Sequence, residues 1–125
     1  MSRYLCVFLG GGAGSLARYL VGRAILQRFP SSYFAWSTFC INVTGSFLIG
    51  FLMTLLVERL KMPHFWQLLL VTGFLGGYTT FSSFEYDGYL AVRAGQPWTA
   101  LAYLAGSVVA GCIAVWLGVV AAGRR

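Results

Sequence analysis

The chain has 125 residues, room for one domain rather than two. Apolar types make up 58% of it and charged types 10%, against about 25% charged in a soluble domain, so a water-facing surface could not be coated and a soluble fold is excluded. The net charge of +6 would suggest nucleic acid in a soluble protein, but here the Arg and Lys side chains flank hydrophobic stretches, where snorkelling and headgroups account for them; membrane lipid is the expected partner, and nucleic acid is not.

A spanning helix needs about 20 mostly apolar residues, and four stretches meet that test in chain order. The first covers about residues 4–26, from Tyr4 to Leu26, with Arg18 and Arg23 toward its end. Arg3 before an apolar run could suggest a signal peptide, but no clear cleavage site follows, and three more hydrophobic stretches do, so it is read as a retained helix. Its Gly12, Gly14 and Ala17 satisfy a G-x-G-x-x-A pattern, which binds dinucleotides only between a strand and a helix; inside an apolar helix, Gly10 and Gly14 instead offer a face for close helix packing. After Pro30, Ser31 and Ser32, the second stretch covers 34–57 with no charge at all. The third starts at Phe65, after Lys61, Met62 and Pro63, reaches Phe84 and continues beyond a break to about residue 92. Gly95, Gln96 and Pro97 precede the fourth, 98–122, which is uncharged. Gly45, Ser46 and Gly50 in the second stretch, and Ala110, Ala114 and Gly118 in the fourth, extend the small-residue packing theme. The whole of 1–125 thus reads as one four-helix transmembrane domain of the all-α class.

Alternate loops share a side of the membrane. One side carries Arg3, Arg59, Lys61, Arg124 and Arg125; the other carries Arg28 and Arg93, with Arg18 and Arg23 added if they lie near the surface. This near balance sets only a weak orientation bias and is compatible with insertion both ways. The cysteines Cys6, Cys40 and Cys112 lie in three different stretches and match no zinc or redox spacing, so they read as small buried hydrophobes. His64 is the single histidine, and no serine has a histidine base in sequence reach, so no enzymatic set is visible.

Polar groups at membrane depth are costly and often functional. Asn42, mid-way along the second stretch, is either interhelical glue or a donor lining a pore. Arg18 follows Gly10 and Gly14 on one face and either snorkels to headgroups or ends a positive vestibule that attracts anions. Tyr103 and Ser107 stand at i, i+4 in the fourth stretch, a face that Gly111 continues without a side chain; the two hydroxyls form a polar track or bond to nearby backbone. The third stretch is the least regular. Gly76 and Gly77 disfavour helix, and the Thr79 and Thr80 hydroxyls compete for backbone bonds. A break near Gly76–Thr80 is expected, of the kind that occurs at membrane depth where backbone is buried or lines a cavity. Freed carbonyls then suit a cation and the half-helix end suits an anion.

The run from Gly73 to Phe84, Gly-Phe-Leu-Gly-Gly-Tyr-Thr-Thr-Phe-Ser-Ser-Phe, resembles the signature of the Fluc, or CrcB-type, fluoride channels. Asn42-Val43-Thr44-Gly45 resembles that family's Asn-containing motif, and Gly10 through Arg18 its first span. The resemblance covers nearly the whole chain. It implies an antiparallel, dual-topology homodimer with two pores along the subunit interfaces, in the cytoplasmic (inner) membrane of a prokaryote, exporting fluoride passively and relieving its toxicity. It implies that Asn42, Phe81, Ser83, Phe84, Tyr103 and Ser107 line the fluoride path, that Arg18 is the vestibule residue, and that carbonyls of Gly76 and Thr79 hold a structural sodium ion at the dimer centre. Phenylalanine edges, the positive rim of the ring quadrupole, can meet a partly dehydrated anion without trapping it. Three positions depart from the pattern: Gly111 stands where some relatives have a hydroxyl, Glu85 where others have a small polar residue, and Asp87 where many have glutamate. The alternative reading is a small four-span multidrug or cation exporter. Such exporters usually use a glutamate in the first span, and this first span has no acid.

Overall fold

The computed structural model describes residues 2–30 and 32–123; Ser31, Arg124 and Arg125, which entered the loop and charge readings above, lie outside the described residues. Every regular element among them is helical, with no strand. Helix α1 is Arg3–Arg28, and α2 is Trp36–Leu52, continued by the π-helical turns Met53–Arg59. Helix α3 spans 64–78: an α turn His64–Trp66, a π-helical stretch Gln67–Leu75 and a last α turn Gly76–Tyr78. Helix α4 is Ser82–Arg93 and α5 is Pro97–Gly123.

Local chemistry sets these boundaries. Pro97 opens α5 at the first helical position, where its missing N–H costs nothing. Gly95 ends α4 with φ of 75°. The Gly95 N–H reaches the Val92 carbonyl and the Gln96 N–H the Ala91 carbonyl, a Schellman closure that needs a residue free to adopt positive φ. Beyond α2 the turns widen, with the Leu60 N–H on the Leu55 carbonyl.

Among the described residues, three helices are long and apolar enough to cross a membrane: α1, α2 with its π-helical extension through Arg59, and α5. Only 17% of the apolar window of α1 and of α5 is buried within the chain. Tyr4, Phe8, Leu20, Trp98, Ile113 and Trp116 all stand exposed. Apolar surface on this scale suits lipid or another protein surface, not water.

The helices pair through close backbone approach. A Cβ on Gly10 would run into the Leu69 carbonyl and one on Gly14 into the Phe74 carbonyl, so α1 lies directly on α3. Helices α2 and α5 meet in the same way: a Cβ on Gly50 would overlap the Val115 carbonyl, and one on Gly118 the Phe47 carbonyl. Without a hydrophobic drive between helices in lipid, such contacts supply the dispersion energy of association. The core between α2 and α3 is Ile41, Leu75 and Tyr78, with Phe74 stacked on Tyr78 at 6.0 Å.

The third stretch differs in detail from its sequence reading. Gly76 and Gly77 stay helical, because Gly77 presses on the Gly11 backbone, where a Cβ would clash with the carbonyl. Regular helix stops after Tyr78. Thr79 is extended (φ −80°, ψ 161°), and helix resumes at Ser82.

Candidate functional site

The non-helical residues Thr79 and Thr80 are tied to α2 by Asn42. Its Nδ2 donates to the Thr80 carbonyl and its Oδ1 accepts from the Thr80 N–H, each at 2.9 Å. One side chain therefore satisfies both backbone groups that helix would otherwise have paired. An amide nitrogen carries two hydrogens, so Asn42 keeps a second N–H beyond this clamp. Gly45, one turn-face away, makes room for Thr79, whose methyl would clash with any Cβ there.

Two carbonyls leave the helical ladder as a result. The Thr80 N–H, which a continuing helix would give to Gly76, goes to Asn42. The Ser83 N–H points to Thr80 Oγ1 at 3.4 Å and not to the Thr79 carbonyl. Gly76 and Thr79 open on a groove of about 390 Å³ that Gly45 and Ser46 also line. Among the described residues there is no cluster of three His, Cys, Asp or Glu. The oxygen donors this segment offers are the two carbonyls with the hydroxyls of Ser46, Thr72 and Thr79 that line the same groove.

Phe81 and Phe84 follow on the first turn of α4. Their rings lie 5.9 Å apart, and they border an open, mainly apolar groove with Leu104 and Val108 of α5, which Glu85 also lines. Phe81 is 70% exposed. Phe84 packs on Tyr103 at 5.4 Å, while Phe34 meets the same tyrosine edge-on at 5.3 Å.

Tyr103 is buried between these rings. Its hydroxyl donates to Asp87 Oδ2 at 3.4 Å, and Thr38 Oγ1 donates to the same oxygen at 2.6 Å. One turn further along α5, Ser107 is 9% exposed, and its Oγ is a buried side-chain polar atom with no hydrogen-bond partner among the described residues. A buried hydroxyl left unpaired costs about 1–3 kcal/mol, so the Ser107 hydroxyl is free of the protein's own hydrogen bonds among the described residues.

On the other flank of α2, a cavity of about 610 Å³ has Arg18 and Arg23 from α1 facing Thr38, Thr80 and Ser83, with no acid among its walls. Thr80 Oγ1 donates to Ser83 Oγ at 3.1 Å. Arg18, Thr80 and Ser83 share this cavity. Phe84, Tyr103 and Ser107 form the second group, beyond α2, and Asn42 belongs to the segment between the two.

The family model described as "CrcB-like protein, Camphor Resistance (CrcB)" matches residues 5–119. The chain belongs to the CrcB family. Among similar proteins, the "Fluoride-specific ion channel FluC" of Solibacter usitatus (strain Ellin6076) is 55% identical over 122 residues, covering 98% of this chain and 99% of its own. The protein of the same name from Acidobacterium capsulatum is 48% identical over 122 residues, with 98% and 97% covered. That from Rhizobium meliloti (strain 1021) is 44% identical over 118 residues, with 94% of each covered.

In this CrcB-family chain, sequence reasoning left two members of the polar network unassigned. Thr38 was not singled out, although it stands four residues before Asn42 on the same helical face. Asp87 stands out in sequence only as a departure from the family pattern, whereas it joins α2 to α5 by accepting from Thr38 and Tyr103. A search for polar residues at i, i+4 in the second stretch would have found Thr38; nothing local in sequence pairs Asp87 with either hydroxyl.

Proposed function

We propose that this chain is a fluoride-specific channel that lets fluoride leave the cell passively, as a multi-pass protein of the cytoplasmic membrane of a prokaryote. The observation that carries the reading is the near full-length similarity, 55% and 48% identical, to two proteins named fluoride-specific ion channels. The geometry supports it. Arg18 collects anions in the vestibule, with the Ser83 hydroxyl at its inner wall. Asn42 offers its spare N–H where the helix is interrupted. Phe81 and Phe84 turn ring edges to the ion, and Tyr103 and the unpaired Ser107 hydroxyl carry it along α5. Past the Arg18 vestibule each site is neutral and offers no more than a hydrogen bond or a ring edge, weak enough to release the ion to the next. No step forms or breaks a covalent bond, so the protein is not an enzyme.

In this reading 1–125 is one channel domain and residues 64–93 form its third span, interrupted at Thr79–Phe81. The active unit is an antiparallel homodimer of dual topology. The near balance of loop charges supports insertion both ways. The exposed Phe81 ring and the open groove beside Gly76 support a second copy covering this face. Single-cysteine variants at matching loop positions should crosslink only in antiparallel register; a strictly parallel pattern, or an active monomer, would sink the dimer. A sodium ion held by the Gly76 and Thr79 carbonyls of both copies would supply positive charge that ties the two interrupted segments together.

The direct test is fluoride efflux from liposomes containing the purified protein, read with a fluoride electrode. Fluoride-loaded vesicles should empty once a potassium ionophore relieves the voltage, and chloride-loaded vesicles should not. Fluoride release no faster than from protein-free vesicles would overturn the function. Replacing all sodium by a large organic cation should abolish flux; unchanged flux and dimer content would overturn the sodium site.

A further inference from the structure

Helices α2 and α5 run parallel and in register. Thr38 meets Tyr103 through Asp87, and Gly50 meets Val115 further along both helices. Each helix carries residues at i, i+4, i+8 on the shared face: Thr38, Asn42 and Ser46 on α2, and Tyr103, Ser107 and Gly111 on α5. The α5 stripe loses its side chain at Gly111. There the structure puts the Ser46 hydroxyl, 3.4 Å from where a Cβ of residue 111 would sit. One turn before Gly111 is the buried, unpaired Ser107 hydroxyl.

We infer that Ser46 is a further ion-path residue: the polar track crosses from α5 to α2 at this level, and the Ser46 hydroxyl donates to the passing anion where Gly111 cannot. This rests on the fluoride-channel reading and deepens it. The reasoning is physical. An anion leaving Ser107 needs another donor about one helical turn, roughly 5–6 Å, along the track, or it must be dehydrated without compensation. The α2–α5 contact is tight enough to hold the donor there, because Gly50 and Gly118 bring the two backbones together just beyond it. A serine is small enough to serve without closing the passage, and a glycine opposite leaves the space for the ion.

The test is a swap. In purified dimers in liposomes, Ser46→Ala should lower fluoride efflux per folded dimer about tenfold, the loss of one hydrogen bond to a charged group, with dimer recovery on size exclusion unchanged. Adding Gly111→Ser to Ser46→Ala moves the hydroxyl back to α5, and flux should return to at least about a third of the wild-type value, a recovery that repaired packing alone would not bring. Wild-type flux in Ser46→Ala overturns the inference. So does a loss that Gly111→Ser fails to restore, since Ser46 would then act by packing. Wild-type protein that passes no fluoride would instead defeat the underlying channel reading, so the two failures are distinguishable.

Discussion

Phe84→Ile is expected to leave a folded dimer whose fluoride flux is reduced severalfold, up to about tenfold, with Phe81→Ile close behind. With the roughly 0.5–1.5 kcal/mol of an aromatic pair beyond its buried area as the scale for a ring-edge contact, and about 1.4 kcal/mol as a factor of ten, one ring accounts for about two- to tenfold. Packing alone predicts a different result for each residue. Phe81 is 70% exposed within the chain, so Phe81→Ile removes little contact inside one protomer; any packing on the second copy is read as dimer recovery, and a loss of flux per recovered dimer speaks for the ring itself. Phe84 leans on Tyr103 at 5.4 Å, so Phe84→Ile also loosens the ring that bears the next hydroxyl, and its effect is the larger of the two. Phe→Met should retain more flux than Phe→Ile, because a polarizable thioether can fill the same space. Flux is normalised to dimer recovered by size exclusion. Wild-type flux in folded Phe81→Ile and Phe84→Ile would refute the assignment of these rings to the path.

Asn42 is expected to matter twice, once for folding and once for conduction. Asn42→Ala strands the Thr80 N–H and carbonyl together. At about 1–3 kcal/mol for each unpaired buried group, the cost is roughly 2–6 kcal/mol, so thermal stability and dimer recovery should fall visibly. Asn42→Asp keeps an acceptor for the Thr80 N–H but sets a carboxylate oxygen against the Thr80 carbonyl and adds a negative charge beside an anion path. The dimer that survives should pass almost no fluoride, since like charge in a low-dielectric site repels strongly. Thermal melting followed by size exclusion reads the first effect, and efflux per folded dimer reads the second. An Asn42→Ala channel with wild-type melting and wild-type flux would dismiss both roles.

The two predictions meet at one structural point. Asn42 holds the Thr79–Thr80 segment out of helix, and that segment sets where α4 begins and therefore where Phe81 and Phe84 project. A variant that frees Thr80 should disturb the phenylalanines even with both rings intact. A double variant of Asn42 and Phe84 should therefore be less than additive.

Much of this chain was legible before any coordinates. With 10% charged residues and long apolar runs, water could not be its solvent, and lipid leaves helices or closed barrels as the spanning choices. The i, i+4 spacing put Tyr103 and Ser107 on one face, and the polar residues at depth marked Asn42. The glycines of the first stretch were readable as packing contacts, because lipid gives small residues that role. The resemblance of Gly73–Phe84 and Asn42–Gly45 to one family supplied the rest, and no amount of periodicity would have supplied fluoride.

Only the tertiary structure decided who meets whom. Helical spacing tells which residues share a face, but not toward which neighbour that face turns or at what height. Those are set where backbones touch, at Gly10 and Gly14 on α3 and at Gly50 and Gly118 between α2 and α5. That packing brings Asn42 to Thr80, joins Thr38 and Tyr103 through Asp87, and sets the Ser46 hydroxyl beside Gly111. It also moved the irregular residues of the third stretch. Glycine's intrinsic cost in a helix, about 1 kcal/mol, pointed to Gly76 and Gly77. Close contact with α1 kept Gly77 helical, and helix gave way at Thr79 and Thr80, where the Asn42 side chain of α2 takes both backbone hydrogen bonds of Thr80.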